Sequence, residues 1–391
     1  MLGLALEGGG AKGAFHMGAV KSLLEEGYTF DAVAGTSIGA FNAAIIAQGD
    51  FELGYELWEN MTTSLIFDIE DTKLQNLLNK NIDRDTLFYV SAKLKEFVAN
   101  KGLDTVKIKQ LLDSYIDEDK LRASPIDLGM ITVSLSDLKP LELYKEDIPE
   151  GKITAYLMAS ANLPVFKLEP IAGKYFLDGG IYDNCPINLL IRKGCTRIIA
   201  VRTFGIGISQ KPKNTNTTIL SILPSEDLGK VLIFDNALIQ HNLKLGYYDT
   251  KRALYQLKGT KYYIYSTDNM FFLNVLLSLS ADTILQISKN LSLQSYTQMQ
   301  PERLLFEKVL PKLSRLLKLD MCSTYEDLIL SLLEPIALES DIERFKIYTL
   351  QNFIHELSAT PNSLETNLQK KPVLLKVGLV FIQHIAKALA L

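Results

Sequence analysis

The sequence predicts an α/β fold: a mostly parallel sheet sandwiched by helices, with a C-terminal, mainly helical extension. Three observations carry this. Short apolar runs alternate with helical patterns through the first two hundred residues, as strands and crossover helices do. Glycines punctuate the junctions. After about Thr203 the strand signals thin out and long amphipathic helical patterns take over.

The elements follow in order. "LGLAL" (residues 2–6) is a strand, and residues 13–26 carry Val20, Leu23 and Leu24 at helical spacing above a Glu-rich end. "FDAVAG" is a second strand, and "SIGAFNAAIIAQG" is a helix closed by Gly49. "IDLGMITVSL", "KYFLDGG" and "RIIAVRT" read as further strands, with helices at 152–160 and 186–193 between them. "GIGISQKPKNTNTT" is a connection rich in Gly, Pro and Asn; beyond it only "KYYIYS" reads as a strand. Residues 1–265 are therefore expected as the α/β domain and 266–391 as the helical extension.

Composition narrows the function classes. At 391 residues, 47% hydrophobic and 22% charged, the chain can bury one large core or two moderate ones. A net charge of −4 gives no global pull toward nucleic acid. Cys185, Cys195 and Cys322 form no paired spacing, which argues against a disulfide framework or a zinc site and favours a reducing, cytoplasmic setting. "LGLAL" is too short for a secretory apolar segment, and the longest apolar stretches contain Asp282, Lys376 or Lys387, so neither reads as a membrane span.

Three stretches carry chemistry. "LALEGGGAKGAFHMG" fits G-x-G-x-x-G through Gly8, Gly10 and Gly13. Bare backbone N–H groups after a first strand suit a phosphate or an oxyanion equally. The G-K-[ST] ending of a phosphate loop is missing. Asp31 lies at about the right distance for a ribose-binding acid but opens the second strand instead of closing it. The end of that strand is "GTSIG", in which Gly35 and Gly39 flank Ser37 as in a nucleophile elbow. "FLDGGIYDNCP" places Asp178 before Gly179 and Gly180, a common hairpin signature, and then offers Asn184 or Cys185 as a helix cap with Pro186 at the first turn. An aspartate held there could take the Ser37 proton. The four histidines stand in no recognisable motif, and His16 shares a helix face with Val20 and Leu23, as a packed residue would.

"GGGAKG", "GTSIG" and "DGG" in this order resemble the patatin-like phospholipase family. "ASANLPVFKLEPI", "DGGIYDNCPIN" and "LGYYDTKRA" extend the resemblance over roughly residues 2–257. The resemblance implies a Ser37–Asp178 dyad, an oxyanion hole at Gly8, Gly9 and Gly10, a supporting Lys12, and a phospholipid or other fatty acyl ester as substrate; no metal or nucleotide cofactor is expected, since the sequence shows no ligand cluster. A phospholipase A or lysophospholipase is expected; an acyltransferase using the same acyl-serine and a nucleotide-binding module are the alternatives. Glu7 has no evident role. From Leu304 to Lys318 a stripe of Leu305, Phe306, Val309, Leu313, Leu316 and Leu317 opposes Lys308, Lys312, Arg315 and Lys318. Packing against a core is the preferred reading of it, peripheral contact with a membrane the second.

Overall fold

A computed structural model describes residues 1–73, 101–171, 173–213, 216–296, 298–359 and 372–390, with isolated residues between 85 and 99. The chain divides into two compact units, Met1–Thr250 and Lys251–Leu391.

The first unit is built on a seven-stranded sheet. β1 (Leu2–Leu6), β2 (Ala32–Thr36), β3 (Asp127–Ser134), β4 (Lys139–Tyr144), β6 (Arg197–Val201) and β7 (Thr218–Ile222) run in the order β4-β3-β2-β1-β6-β7. All these pairings are parallel except β3–β4. β5 (Phe176–Asp178) pairs antiparallel with β3. Alternate residues explain the layering. Ala5, Ala32, Ala34, Ile198 and Ala200 join Leu189 and Leu190 of the helix Ile187–Lys193 in one core cluster. Leu4, Leu6, Val33, Ile199 and Val201 point to the opposite face and are equally buried. Strands buried on both faces must read as continuous apolar runs, and the central ones do.

β4 and β7 are the two strands of this sheet that the sequence does not predict. They are the sheet's edges, where half-exposed residues such as Lys139, Glu142 and Ser221 break up any apolar run.

β3 is the element that assembles the site. One of its edges is paired with β4 over residues 129–134. Along the other, β2 pairs with residues 127–131 and β5 takes over at 132–134. Thr36 lies opposite Ile131 and Asp178 opposite Thr132, so the ends of β2 and β5 meet on adjacent residues of one strand.

In the second unit, helices that include Ala281–Asn290, Tyr325–Glu339 and Val373–Ala388 enclose buried residues such as Phe272, Leu333, Phe353 and Phe381. The "KYYIYS" strand belongs here: Tyr263–Ile264 pairs in parallel with Ile347–Tyr348. Leu305, Val309 and Leu313 of the amphipathic stripe are in this core, while Leu316 is exposed. Among the described residues no single helix is long and apolar enough to cross a membrane.

Candidate active site

Ser37 sits between β2 and α2 (Ile38–Ala47) with φ 58° and ψ −128°, a left-handed conformation that costs a residue with a Cβ of order 1–3 kcal/mol. The flanking glycines make the turn possible. A Cβ on Gly35 would lie 2.1 Å from the Gly39 carbonyl group, and one on Gly39 would lie 2.3 Å from the Leu6 carbonyl oxygen. The turn is pinned from outside as well. The Ser37 N–H donates to Ser160 Oγ at 3.0 Å, and Ser160 Oγ–H donates to the Ile131 carbonyl at 2.6 Å. Ser160 lies in the "ASANLP" stretch, but its role depends on the neighbouring strand β3 and cannot be read from local pattern.

Asp178 is 4% exposed. Its Oδ1 accepts the Gly180 N–H at 2.7 Å. Burial pushes its carboxyl up to about 6, against the opposing pull of the Ser37 hydroxyl and the Gly180 N–H. Oδ2 has no partner within strict hydrogen-bond geometry. The serine hydroxyl is thus a close neighbour of the carboxylate rather than a well-formed donor to it; such contacts often tighten only when substrate is bound. The expected helix cap is different. Pro186 itself stands at the N-cap of Ile187–Lys193, and the Asn184 side chain donates instead to the Gly8 carbonyl at 3.3 Å.

The glycine loop divides its amides. The Gly8 N–H donates to the Asn184 carbonyl at 2.9 Å and is not free for a ligand, which corrects the expected trio. Gly9 and Gly10 have no N–H partner among the described residues, and neither does Ile38 at the start of α2. Gly10 holds φ +57°, and a Cβ there would be 2.1 Å from the Val231 carbonyl oxygen, so only glycine fits. Gly10, Ser37 and Ile38 line one cleft whose other walls include Phe41, Phe67, Leu157, Phe166 and Phe234.

Lys12 does not extend its charge toward that cleft. Its ammonium donates to the Thr203 and Phe204 carbonyls at 3.4 and 3.3 Å. Gly13 supports the loop from beneath: its carbonyl accepts Asn42 Nδ2 at 3.0 Å, and Asn42 Oδ1 accepts Trp58 Nε1–H at 2.9 Å. His16 belongs to the same buried layer, with Nδ1 3.3 Å from Asn42 Nδ2, and burial holds it down to about 3 against the pull of the Glu7 carbonyl. It is a neutral packing residue. His241 is paired with Glu226 at 2.9 Å.

Glu7, unexplained by sequence, is the anchor of the neighbouring segment. Its buried carboxylate accepts the Thr203 and Phe204 N–H groups at 2.7 and 2.9 Å, Arg202 at 2.9 Å and the Ser209 hydroxyl at 3.2 Å. Its partners lie about 200 residues away in sequence, which is why no local pattern reveals them. Among the described residues there is no cluster of three or more His, Cys, Asp or Glu side chains arranged to hold a metal ion.

A mostly parallel sheet thus carries a serine on the turn after its second strand, a glycine loop after its first and a buried aspartate in register, the parts of a candidate nucleophile site. Residues 4–191 match the family model for patatin-like phospholipase. The chain is 29% identical over 202 residues to Lysophospholipase NTE1 of Kluyveromyces lactis, covering 51% of this chain and 12% of that protein. Patatin-like phospholipase domain-containing protein 6 of Homo sapiens is 26% identical over 208 residues, covering 51% and 13% respectively. The match thus spans only a small part of these relatives. Among solved structures, VipD from Legionella pneumophila is similar with a TM-score of 0.41 and 16% identity, covering 98% of this chain and 91% of that one.

Proposed function

We propose that the Met1–Thr250 unit hydrolyses fatty acyl esters of lipids, in the manner of a phospholipase A or lysophospholipase. Asp178 Oδ2 takes the proton of the Ser37 hydroxyl as Oγ bonds to the acyl carbonyl carbon. The Gly9, Gly10 and Ile38 N–H groups receive the oxyanion. Collapse breaks the ester bond, and the proton returns from Asp178 to the leaving alcohol. Water then attacks the acyl-serine, Asp178 again taking the proton, and the acyl carbon–Oγ bond breaks as Asp178 returns that proton to Ser37 Oγ, which releases the fatty acid. The aromatic and aliphatic walls of the cleft suit a hydrocarbon chain.

The observation that carries this reading is the adjacency of Thr36–Ser37 and Asp178 on neighbouring residues of β3, beside a glycine loop with unpartnered amides. A fluorophosphonate probe tests the nucleophile without requiring the right lipid. Labelling should map to Ser37 and disappear with Ser37→Ala, together with turnover of a chromogenic fatty ester. Labelling elsewhere, or turnover retained by that variant, refutes the assignment.

A further inference from the structure

We propose that the loop Phe204–Ile208 is an interfacial anchor that seats the glycine-loop side of the Met1–Thr250 unit on a lipid surface bearing anionic headgroups. The inference rests on the lipid acyl hydrolase reading above for its substrate, but on different residues for its evidence.

The loop reads "FGIGI", and its large side chains are turned outward: Phe204 is 57% exposed, Ile206 90% and Ile208 59%. Ile181, on the turn that follows Asp178, is 44% exposed. Isolated exposed apolar residues are ordinary, but several on one short, rigid loop mark an interaction surface. Rigidity here is explicit. The N–H groups of Thr203 and Phe204 are held by the Glu7 carboxylate and their carbonyls by the Lys12 ammonium. At the other end, the Ile208 N–H donates to the Gly180 carbonyl at 2.8 Å and the Ile208 carbonyl accepts the Asn184 N–H at 2.6 Å. Phe204 itself has φ 48°, a strained conformation for an aromatic residue that packing does not repay.

The anchoring points are those of the candidate site. Glu7 and Lys12 flank the glycine loop, Gly180 follows Asp178, and a Cβ on Gly205 would lie 2.0 Å from the Gly8 carbonyl oxygen. A surface that receives this loop is therefore held beside Ser37. Charge selects the kind of surface. Lys211 and Lys213, both exposed, follow the loop directly, while the nearby acids Glu7 and Asp183 are buried. An apolar tip flanked by solvated lysines matches the headgroup–acyl boundary of an anionic bilayer.

The test uses the full chain carrying Ser37→Ala, so that vesicles are not consumed. Sedimentation with vesicles of phosphatidylcholine and phosphatidylglycerol should show binding that weakens in high salt. Adding Ile206→Ser and Ile208→Ser should lower partitioning about tenfold or more. Lys211→Glu with Lys213→Glu should remove the salt dependence. In the chain with Ser37 intact, the isoleucine substitutions should leave hydrolysis of a soluble short-chain ester unchanged and cut fatty acid release from vesicles by a similar factor. Vesicle binding that survives the isoleucine substitutions overturns the proposal, as does conversion of a dimer to monomer with no change in vesicle binding, which would make the loop a contact between copies. Binding that behaves as expected, with no turnover of either ester by the intact chain, would instead refute the hydrolase reading and leave the anchor standing.

Discussion

Replacing Asp178 by Asn should abolish turnover and yet stabilise the fold at alkaline pH. The carboxyl is raised from 3.8 to about 6 by burial, so the folded protein holds this proton more tightly than the unfolded chain does. Stability from the group is fully present below pH 3.8 and is lost as the pH rises through 6; at pH 8 the ionised carboxylate costs about 3 kcal/mol. Asn removes that charge and keeps the shape. Its Oδ1 can still accept from the Gly180 N–H, and its amide N–H₂ takes the place of the unpartnered Oδ2 beside Ser37.

For a domain of this size about 2–4 °C of midpoint shift accompanies each kcal/mol. Thermal denaturation followed by circular dichroism should therefore place Asp178→Asn several degrees above wild type at pH 8, with the gap closing by pH 4. The same carboxylate must be ionised to accept a proton, so wild-type turnover should climb through pH 6 toward a plateau. A variant less stable than wild type at pH 8 would show that the carboxylate is better compensated than its burial implies, and the reasoning would fail.

Two other substitutions probe the scaffold of the site. Ser160→Ala removes the acceptor of the Ser37 N–H; a loss of roughly 1–3 kcal/mol in stability is expected by chemical denaturation, with kcat on a soluble ester falling more than KM rises. Glu7→Gln strips the charge from a buried acceptor of four hydrogen bonds and removes the ion pair with Arg202, which should cost about 3–5 kcal/mol and raise hydrogen exchange at residues 202–209; protection unchanged there would remove Glu7 from its anchoring role.

Much of the first unit is legible in sequence because its central strands are buried on both faces and its turns need glycine. "LGLAL", "FDAVAG" and "RIIAVRT" announce themselves as apolar runs, and Gly35 and Gly39 advertise the tight turn around Ser37. What stays hidden is whatever depends on partners distant in the chain. The Gly8 amide looks as free as those of Gly9 and Gly10 until the Asn184 carbonyl is placed against it. Lys12 has the residue type of an electrostatic helper, but the Thr203 and Phe204 carbonyls claim its ammonium. Glu7 shows no local pattern at all, because its partners fall at residues 202–209.

The shared edge of β3 works as a ruler. Ser37 and Asp178 are separated by about 140 residues of chain, yet their spacing is fixed by consecutive positions on a single strand. Whatever is inserted, lengthened or exchanged between α2 and β3 leaves that spacing untouched, provided the register of β3 holds. The segment between them is therefore free to diversify, in length and in what it recognises, while the reacting pair stays set to the same mark.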